Sequence, residues 1–463
     1  MTTVAIHLPP PMQKRAFQLM VARARQVREQ GERVVLTHCA VSAGTCSANL
    51  AGSRLVCAAC RHSTRKSTKD AGLDLVPLQA PPGEGPESKL SRREQCELAL
   101  GAQSCLVTIL RVLTRDLNRV GVLRAIKRRN FHTACILLRA MYRAIDCHSI
   151  NRIEVLNGRY ACMKVGVIAA EQRGLDFNTL DFNLAGQPMV FRGHIPHDRA
   201  AIRQRILQNE PDEQAAEQYY NARKNRQYNK FAKRHKNLAT PVIDDSVKKK
   251  VTFFLSSEDE CDSLGPEWRS PFRDTAEIVR AACQAFPDYW FCVRFHPNQA
   301  GSLSDVTAGY RGLETIPHLT IYFPKDDVNS YTLVDWSDVV VTFASTLAIE
   351  SCWANKPVIE MGPSYFSELG ISWTPDSVEE FLELLRADLK PKPTEPALRF
   401  ANYELNDFDN LPDLDFESGH GVPVGFQRRA SLVAKPAKEW NTLVTKVLRR
   451  VTAFRLSGRS KAA

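Results

Sequence analysis

Arg294 and His296 form the first candidate for chemistry in this sequence. They stand on either side of Phe295 in the segment RFHPN, at the end of an apolar run. A guanidinium and an imidazole at the end of a strand suit the phosphate groups of a ligand, since both donate charge-assisted hydrogen bonds. A strand that simply ends in polar residues explains the same pattern, so both interpretations stay open here.

Ser345 and Thr346, with Glu350 one helical turn later, form the second candidate. They follow the apolar run DVVVTF and stand where a helix is predicted to begin. The N–H groups at the start of a helix attract phosphate. Glu350 is predicted on the same helix face as Thr346, where a carboxylate suits a ribose or sugar diol. Ser345 is also a good N-cap residue, and the two roles are compatible.

Ser256 and Ser257 form the third candidate, directly after the apolar run VTFFL. Their hydroxyls suit phosphate or sugar, and the acids at 258–260 suit the hydroxyls of an acceptor. A solvated acidic loop explains this segment equally well.

A transfer reaction also needs a general base for the acceptor hydroxyl. The eligible side chains in the first half are His197, Asp198, Glu171 and His194. The sequence does not rank them.

Cys39, Cys46, Cys57 and Cys60 form a cysteine cluster with spacing C-x6-C-x10-C-x2-C. Four thiolates at such spacing suit a structural zinc ion or an iron–sulfur cluster. Free thiols in a reducing compartment are the alternative. The total of 13 cysteines is odd, which argues against a disulfide framework.

Predicted strands and helices alternate regularly in the second half of the sequence, and they must position the three polar segments. The pattern predicts strands at 251–255, 290–295, 319–323, 338–343 and 357–360, and helices at 274–286, 346–354 and 378–389. Such alternation indicates a parallel, doubly wound sheet. The three polar segments would then lie at the carboxyl ends of its strands, around one anion pocket.

The first half predicts a second Rossmann-like domain. Strands are predicted at 33–41 and 152–156, with helices at 14–30, within 97–145 and at 160–172, and a proline-rich loop at 70–91. The fold class is therefore α/β, with two Rossmann-like domains at 1–245 and 246–435. The basic stretch 223–236 is interpreted as a solvated helix face, with a nucleic-acid-binding arm as the alternative.

Residues 436–463 are predicted to form an amphipathic helix and a basic tail. The helix at 438–454 carries an apolar stripe beside Lys446, Arg449 and Arg450. The stripe would either pack against the protein or contact the inner face of a membrane.

The bulk properties bound the function. The length of 463 residues suits two domains, and the net charge of +11 favours anionic partners. No nucleic-acid motif accompanies the charge, and neither a signal peptide nor a membrane-spanning run is evident. The sequence therefore predicts a cytoplasmic protein, in peripheral contact with the inner membrane at most.

Three motifs together resemble the capsule polysaccharide biosynthesis family, namely VTFFLSSEDE at 251–260, VRFHPN at 293–298 and FAST at 343–346 with Glu350 and KPVI at 356–359. In the first half, LNGR at 156–159 with Glu171 and the cysteine cluster also resemble this family. The family includes GT-B glycosyltransferases related to enzymes that polymerise Kdo and sialic acid.

The resemblance implies a GT-B fold, two Rossmann-like domains around a central cleft. It implies that Arg294, His296, Ser345 and Thr346 bind the donor nucleotide phosphate, while Glu350 binds the ribose or orders the loop. The implied reaction transfers a sugar from a nucleotide-sugar donor to a glycan or lipid-linked glycan acceptor without a metal ion. A polyol-phosphate transferase of the teichoic-acid type, a nucleotide-sugar epimerase and a non-catalytic scaffold protein are the alternatives.

Overall fold

A computed structural model describes residues 1–79, 90–184, 187–225, 237–243, 246–272, 274–407 and 424–460. The described residues divide into two compact units. The first contains residues 1–183, 187–196 and the C-terminal helix, and the second contains residue 184 and residues 197–407.

The first unit alternates strands and helices up to residue 192. Its elements are β1 (Thr3–His7), α1 (Lys14–Glu29), β2 (Arg33–Cys39), α2 (Arg54–Asp70), β3 (Leu75–Leu78), α3 (Arg92–Leu110), α4 (Thr114–Leu117), α5 (Gly121–His148), β4 (Arg152–Leu156), α6 (Ala161–Arg173), β5 (Asp176–Phe182) and β6 (Pro188–Arg192). The long helix α15 (Val424–Ser460) completes the unit.

Within the described part of this unit, the strands form one sheet in the order β3-β2-β1-β4-β5-β6. All neighbours are parallel except β5 and β6. The order runs outward from β1 in one direction and from β4 in the other, as in a doubly wound sheet.

The second unit has a similar alternation. Its elements are α7 (Arg199–Gln208), α8 (Glu213–Lys224), β7 (Lys249–Phe254), α9 (Glu258–Leu264), α10 (Thr275–Ala285), β8 (Tyr289–Arg294), β9 (Leu319–Tyr322), α11 (Ser330–Trp336), β10 (Val339–Thr342), α12 (Leu347–Trp353), β11 (Val358–Glu360), α13 (Val378–Arg386) and α14 (Glu395–Asn406). The described strands form a fully parallel sheet in the order β11-β10-β7-β8-β9.

The predicted α/β class with two Rossmann-like domains is confirmed. In the second unit the predicted strands and helices agree with the structure to within three residues at each end. This agreement follows from burial on both faces of a parallel sheet, which requires short continuous apolar runs. Phe253, Val293 and Val341 are all fully buried in the core between this sheet and its helices.

Three predictions for the first half need correction. The strand β1 was not predicted, although it is buried along its whole length and occupies a central position in its sheet. Cys57 and Cys60 lie on the helix α2, whose N-cap is Ser53, in a segment where no helix was predicted. The proline-rich loop at 70–91 contains the strand β3, and its residues 80–89 lie outside the described residues.

The division between the units also differs from the predicted boundary at residue 245. Helices α7 and α8 belong to the second unit because both pack on α14. Tyr220 of α8, for example, donates a hydrogen bond from its hydroxyl to the carbonyl of Ala397 at 2.9 Å. The predicted C-terminal helix is confirmed, and it belongs to the first unit.

None of the helices among the described residues has both the length and the apolar character needed to span a bilayer.

Candidate functional site

The three predicted polar segments leave the same edge of the second sheet. Strand β7 lies between β8 and β10, and Phe254 pairs with Arg294 on one side and with Thr342 on the other. Since neighbouring strands are about 4.8 Å apart, the ends of β8 and β10 are separated by roughly 10 Å. The strand order reverses between β7 and β10, and the crevice outside such a reversal is where ligands bind in α/β sheets.

Arg294 is the most distinctive residue at this edge. It ends β8 and its side chain is buried, with only 2% of the residue exposed. Its Nη1 donates to the carbonyl of Phe323 at 3.0 Å, whereas Nε and Nη2 have no hydrogen-bond partner among the described residues. Burial lowers the pKa of Arg294 to about 10, and Asp326 acts in the opposite direction. A buried cation with two unsatisfied donors is costly unless an anion completes it.

Ser256 and Ser257 follow β7 at the same edge. The hydroxyl of Ser257 donates to the Asp259 carboxylate at 2.9 Å, so this serine is used within the loop. The Ser256 hydroxyl is buried and lacks a partner among the described residues. Ser256 is therefore the better placed of the two for a ligand.

Ser345 and Thr346 both have partners within the protein. The Ser345 hydroxyl accepts from the backbone N–H of Leu347 at 3.2 Å, but the N-cap position of α12 is occupied by Thr346 and not by Ser345 as predicted. Ala344, just before it, has a φ of +51°, a left-handed conformation that is uncommon for alanine. Such strained residues cluster at functional sites, and this one turns the chain sharply between β10 and α12.

Glu350 has a different partner from the one expected. Arg223 donates from Nε and Nη2 to Glu350 Oε1 at 2.9 and 2.7 Å, and both side chains are less than 10% exposed. Arg223 Nη2 also donates to the Thr346 hydroxyl at 3.1 Å. Glu350 Oε1 therefore fixes Thr346 through Arg223, while Glu350 Oε2 is buried without a hydrogen-bond partner among the described residues.

Arg223 was missed by the sequence analysis, which placed it at the start of a solvated basic stretch. Arg223 is buried. Desolvation by burial lowers its pKa, but the negative charge of Glu350 outweighs this effect and raises the pKa well above the usual value. Residues 226–236 of that stretch lie outside the described residues.

His296 lies in the turn after β8. Its Nδ1 accepts from the backbone N–H of Asn298 at 3.2 Å, which fixes the ring. Beyond it, a cleft opens between the loops that follow β8 and β9, lined among others by Gln299, Thr307, Arg311 and Lys325. Arg294, His296 and this cleft therefore all lie at the predicted edge.

The predicted base residues have separate surroundings. His197 Nδ1 is 3.0 Å from the hydroxyl of Tyr365, and the His197 carbonyl accepts from the indole of Trp268 at 3.2 Å. Asp198 is the N-cap of α7, since its carboxylate accepts from the backbone N–H of Ala201 at 3.0 Å. Asp198 therefore has a structural role.

Glu171 and His194 belong to the first unit. Glu171 is exposed near the end of α6, and its one described ion pair joins it to Arg93 at 3.8 Å. The carboxyl end of β4 leads into the start of α6, so Glu171 lies at the opposite edge of the first sheet. This position separates Glu171 from the strand ends where ligands bind. The His194 carbonyl accepts from the Thr179 hydroxyl at 2.8 Å.

The cysteine cluster lines a pocket at the carboxyl ends of β1 and β2. Cys39, Cys46, Cys57 and Cys60 all contribute to its wall, together with His7, His38 and Cys162. Burial raises the pKa of Cys39 to about 12 and that of Cys46 to about 11. These thiols are therefore neutral near pH 7.

The predicted metal site is not formed by these side chains as they stand. In the part of the chain that the structure describes, no three histidine, cysteine, aspartate or glutamate side chains are placed to share a metal ion. The amide of Asn49 instead donates to the Cys57 sulfur at 3.2 Å. The four thiols do lie in one pocket, as their spacing suggested, but their side chains do not point to a common position.

His7 was also missed by the sequence analysis. Its Nδ1 is 3.0 Å from the Thr37 hydroxyl and its Nε2 is 3.0 Å from the carbonyl of Cys162. Burial lowers the pKa of His7 to about 4, so the ring is neutral and joins β1, β2 and α6.

Comparison with known proteins gives one family match. Residues 199–392, which lie within the second unit, match the family model described as capsule polysaccharide biosynthesis protein. No curated protein sequence matches the chain.

Three solved structures show distant likenesses to the chain. KpsC from Thermosulfurimonas dismutans, a beta Kdo 2,4 transferase, is 11% identical with a TM-score of 0.36, covering 54% of this chain and 79% of KpsC. The corresponding beta Kdo 2,7 transferase is 14% identical with a TM-score of 0.36, covering 57% and 80%. UDP-GlcNAc 2-epimerase from Neisseria meningitidis is 9% identical with a TM-score of 0.29, covering 88% and 99%.

These likenesses are too distant to indicate an activity. The family match includes Arg223, Arg294, His296 and Glu350, and it therefore covers the whole edge described above. Residues 199–392, which make up less than half of the chain, are thus similar to the capsule polysaccharide biosynthesis family.

Proposed function

We propose that this protein is a glycosyltransferase that moves a sugar from a nucleotide-sugar donor to a capsular or other surface polysaccharide. The observation that carries this proposal is Arg294, a buried guanidinium with two unsatisfied donors at the strand ends of the second sheet. The donor phosphates would accept from Nε and Nη2. Ser256 and His296, at the same edge, would supply further contacts.

Two further observations support a nucleotide site at this edge. The strand order reverses between β7 and β10, beside the loops that carry Ser256 and Ser345. The buried pair of Arg223 and Glu350 holds the second of these loops without needing a ligand. A site held in this way keeps its shape before the donor arrives, which lowers the entropic cost of binding.

In the proposed reaction the acceptor hydroxyl attacks the anomeric carbon, and the bond between that carbon and the phosphate oxygen breaks. A general base takes the hydroxyl proton. We propose His197 for this role, since Asp198 caps a helix and Glu171 lies at the opposite edge of its sheet. The contact with Tyr365 orients the imidazole of His197.

The test is donor binding by calorimetry over a panel of nucleotide-sugars that differ in base and sugar. We expect at least one donor to bind, and we expect Arg294→Met and His296→Ala to weaken that binding at least tenfold. Arg280→Met is the matched control, because Arg280 is a half-exposed arginine paired with Glu277 on α10. Equal binding by the wild type and Arg294→Met would remove the donor site from this edge.

Product analysis separates the alternative reactions. A glycosyltransferase releases the nucleotide only when a glycan acceptor is present and His197 is intact. A polyol-phosphate transferase instead leaves the phosphate next to the polyol on the acceptor, and an epimerase converts the donor with no acceptor at all. Donor binding without turnover in any of these assays would favour a scaffold role.

A zinc ion or an iron–sulfur cluster at Cys39, Cys46, Cys57 and Cys60 stays a separate proposal. The four thiols share one pocket wall, and binding would require them to rotate and to lose their protons. Elemental analysis of anaerobically purified protein tests this proposal. Stoichiometric metal that is lost in Cys57→Ser supports it, and less than about one tenth of an equivalent in the wild type rejects it.

A further inference from the structure

The C-terminal helix α15 has two faces with different surroundings. One face is fixed to the first unit. Asn441 Oδ1 accepts from the backbone N–H of Leu50 at 3.0 Å, and Asn441 Nδ2 donates to the Ser47 carbonyl at 3.2 Å. Leu448 and Thr452 are buried on the same face. These contacts fix which face of α15 packs against the rest of the first unit.

The second face leaves a row of apolar side chains exposed. Its members are Trp440 (48%), Leu443 (54%), Val447 (49%), Val451 (41%) and Phe454 (76%). The spacing of three and four residues places all five within about 80° of the helix circumference, since each residue turns the helix by about 100°. We call this row the exposed stripe.

The exposed stripe is a concentrated patch. These five side chains are five of the twelve large apolar side chains that are exposed among the described residues. Single exposed apolar residues are normal, whereas a contiguous row on one helix marks a binding surface.

The charges around the stripe indicate what it binds. Between residues 435 and 457 there are six lysine or arginine residues and one acidic residue, Glu439. Lys446 and Arg450 are exposed and lie one helical turn apart along one side of the stripe, and Arg455 lies on the other side. The charge of the whole chain, +11, has the same sign.

From these observations we propose that the exposed stripe of α15 binds the surface of a bilayer that contains anionic lipids. Apolar side chains including a tryptophan, flanked by cations, are what an interfacial helix needs to enter the boundary between headgroups and acyl chains. The cations would contact the anionic headgroups near the surface. Because another face of the helix is fixed to the first unit, the helix would anchor the folded protein rather than a loose tail.

The test is cosedimentation of the full-length protein with vesicles, either of phosphatidylcholine alone or with about one third phosphatidylglycerol. We expect binding to the anionic vesicles and at least tenfold weaker partitioning to neutral ones. We expect Val447→Gln with Phe454→Ser, and separately Lys446→Gln with Arg450→Gln, to reduce partitioning to anionic vesicles about tenfold. Raising the salt concentration to 0.5 M should also release the protein, because salt screens the headgroup attraction.

Val122→Gln is the matched control, since Val122 is an exposed valine on α5 of the same unit, 42% exposed. It should bind vesicles as the wild type does. Circular dichroism melting checks that each variant is folded, which is expected because the substituted side chains point to solvent. Wild-type protein that stays in the supernatant with anionic vesicles overturns the proposal. Equal binding by the stripe variant also overturns it.

A third outcome assigns the stripe to another partner. If light scattering detects a dimer that dissociates in the stripe variant, and neither protein binds vesicles, the surface serves a second copy of the chain and the bilayer proposal fails. The donor-binding assay is independent of all these outcomes, because the exposed stripe belongs to the first unit and Arg294 to the second.

Discussion

Arg223 and Glu350 form a buried ion pair between residues that are 127 positions apart in the sequence. Arg223 lies on α8 and Glu350 on α12, so the pair ties a helix that precedes the second sheet to the helix that follows β10. Removing one partner of a buried pair leaves a charge without compensation, which costs about 3–5 kcal/mol.

We therefore expect Glu350→Ala to lower the free energy of unfolding of the second unit by about 3 kcal/mol, measured by urea denaturation. The control is Lys224→Ala, since Lys224 and Asp335 form a half-exposed pair in the same unit. Exposed pairs contribute about 1 kcal/mol at most, so the control should unfold nearly as the wild type does. Equal effects from the two variants would contradict the importance of the buried pair.

Arg294 should affect binding and stability in opposite directions. Its guanidinium is buried, and burial lowers its pKa. Replacing it by methionine removes the desolvation cost. Arg294→Met should therefore keep or raise the urea midpoint of the second unit while nucleotide binding falls at least tenfold. A large loss of stability would mean that Arg294 holds the fold, and its role in donor binding would then lose its main argument.

His7 and His38 should make the first unit sensitive to acid. Burial lowers the pKa of each to about 4, below the ordinary value of 6.5. The unfolded chain therefore binds protons between pH 6.5 and pH 4 that the folded chain excludes, and stability is lost as the pH falls through this window.

From pH 7 to pH 5 we expect a loss of about 2 kcal/mol for each histidine, measured by urea unfolding at a series of pH values. His7→Gln should reduce this dependence by about half, since glutamine does not titrate while His38 still does. His62→Gln, on an exposed residue of α2 in the same unit, is the control and should leave the slope unchanged. A slope in His7→Gln equal to that of the wild type would disprove the assignment.

Gly101 lets α3 approach the start of α6 closely. A Cβ at this position would lie 2.9 Å from the backbone N and Cα of Ala161. Since a backbone cannot move aside as a side chain does, Gly101→Ala should destabilise the first unit by about 1–3 kcal/mol in thermal or urea unfolding.

Gly121→Ala is the matched control for this change, because Gly121 also lies in a helix and a Cβ there would meet nothing within 4 Å. It should be neutral or stabilise by about 0.5 kcal/mol through the unfolded state. The close approach would be disproved by equal stability of the two variants.

The second sheet could be predicted from sequence because its pattern is local. DVVVTF and its neighbours are short apolar runs, and parallel strands buried on both faces require such runs. The position of Arg294, His296 and Ser256 at one edge follows from the same alternation. β1 was harder, because its five residues stand directly before a run of prolines and have no alternation to distinguish them.

The side-chain contacts between residues that are far apart in the sequence could not be predicted, because they form only in the folded chain. A lysine- and arginine-rich stretch indicates a solvated surface by composition, yet Arg223 is buried because a carboxylate far along the chain meets it. The direction of each thiol in the cysteine pocket is likewise set by packing. The sequence spacing predicted that the four cysteines lie near one another. It could not predict whether their sulfur atoms point to one common position.

The first unit is discontinuous in the sequence: it is formed by residues up to about 196 and by the C-terminal helix α15. During synthesis, the helix that supplies Asn441 to the backbone of residues 47 and 50 emerges only after the whole second unit has been translated. Because domains tend to fold as they emerge from the ribosome, the second unit can fold while the first unit still lacks α15. A released chain that is truncated near residue 410 should therefore carry a protease-resistant second unit and a first unit that is cut more readily.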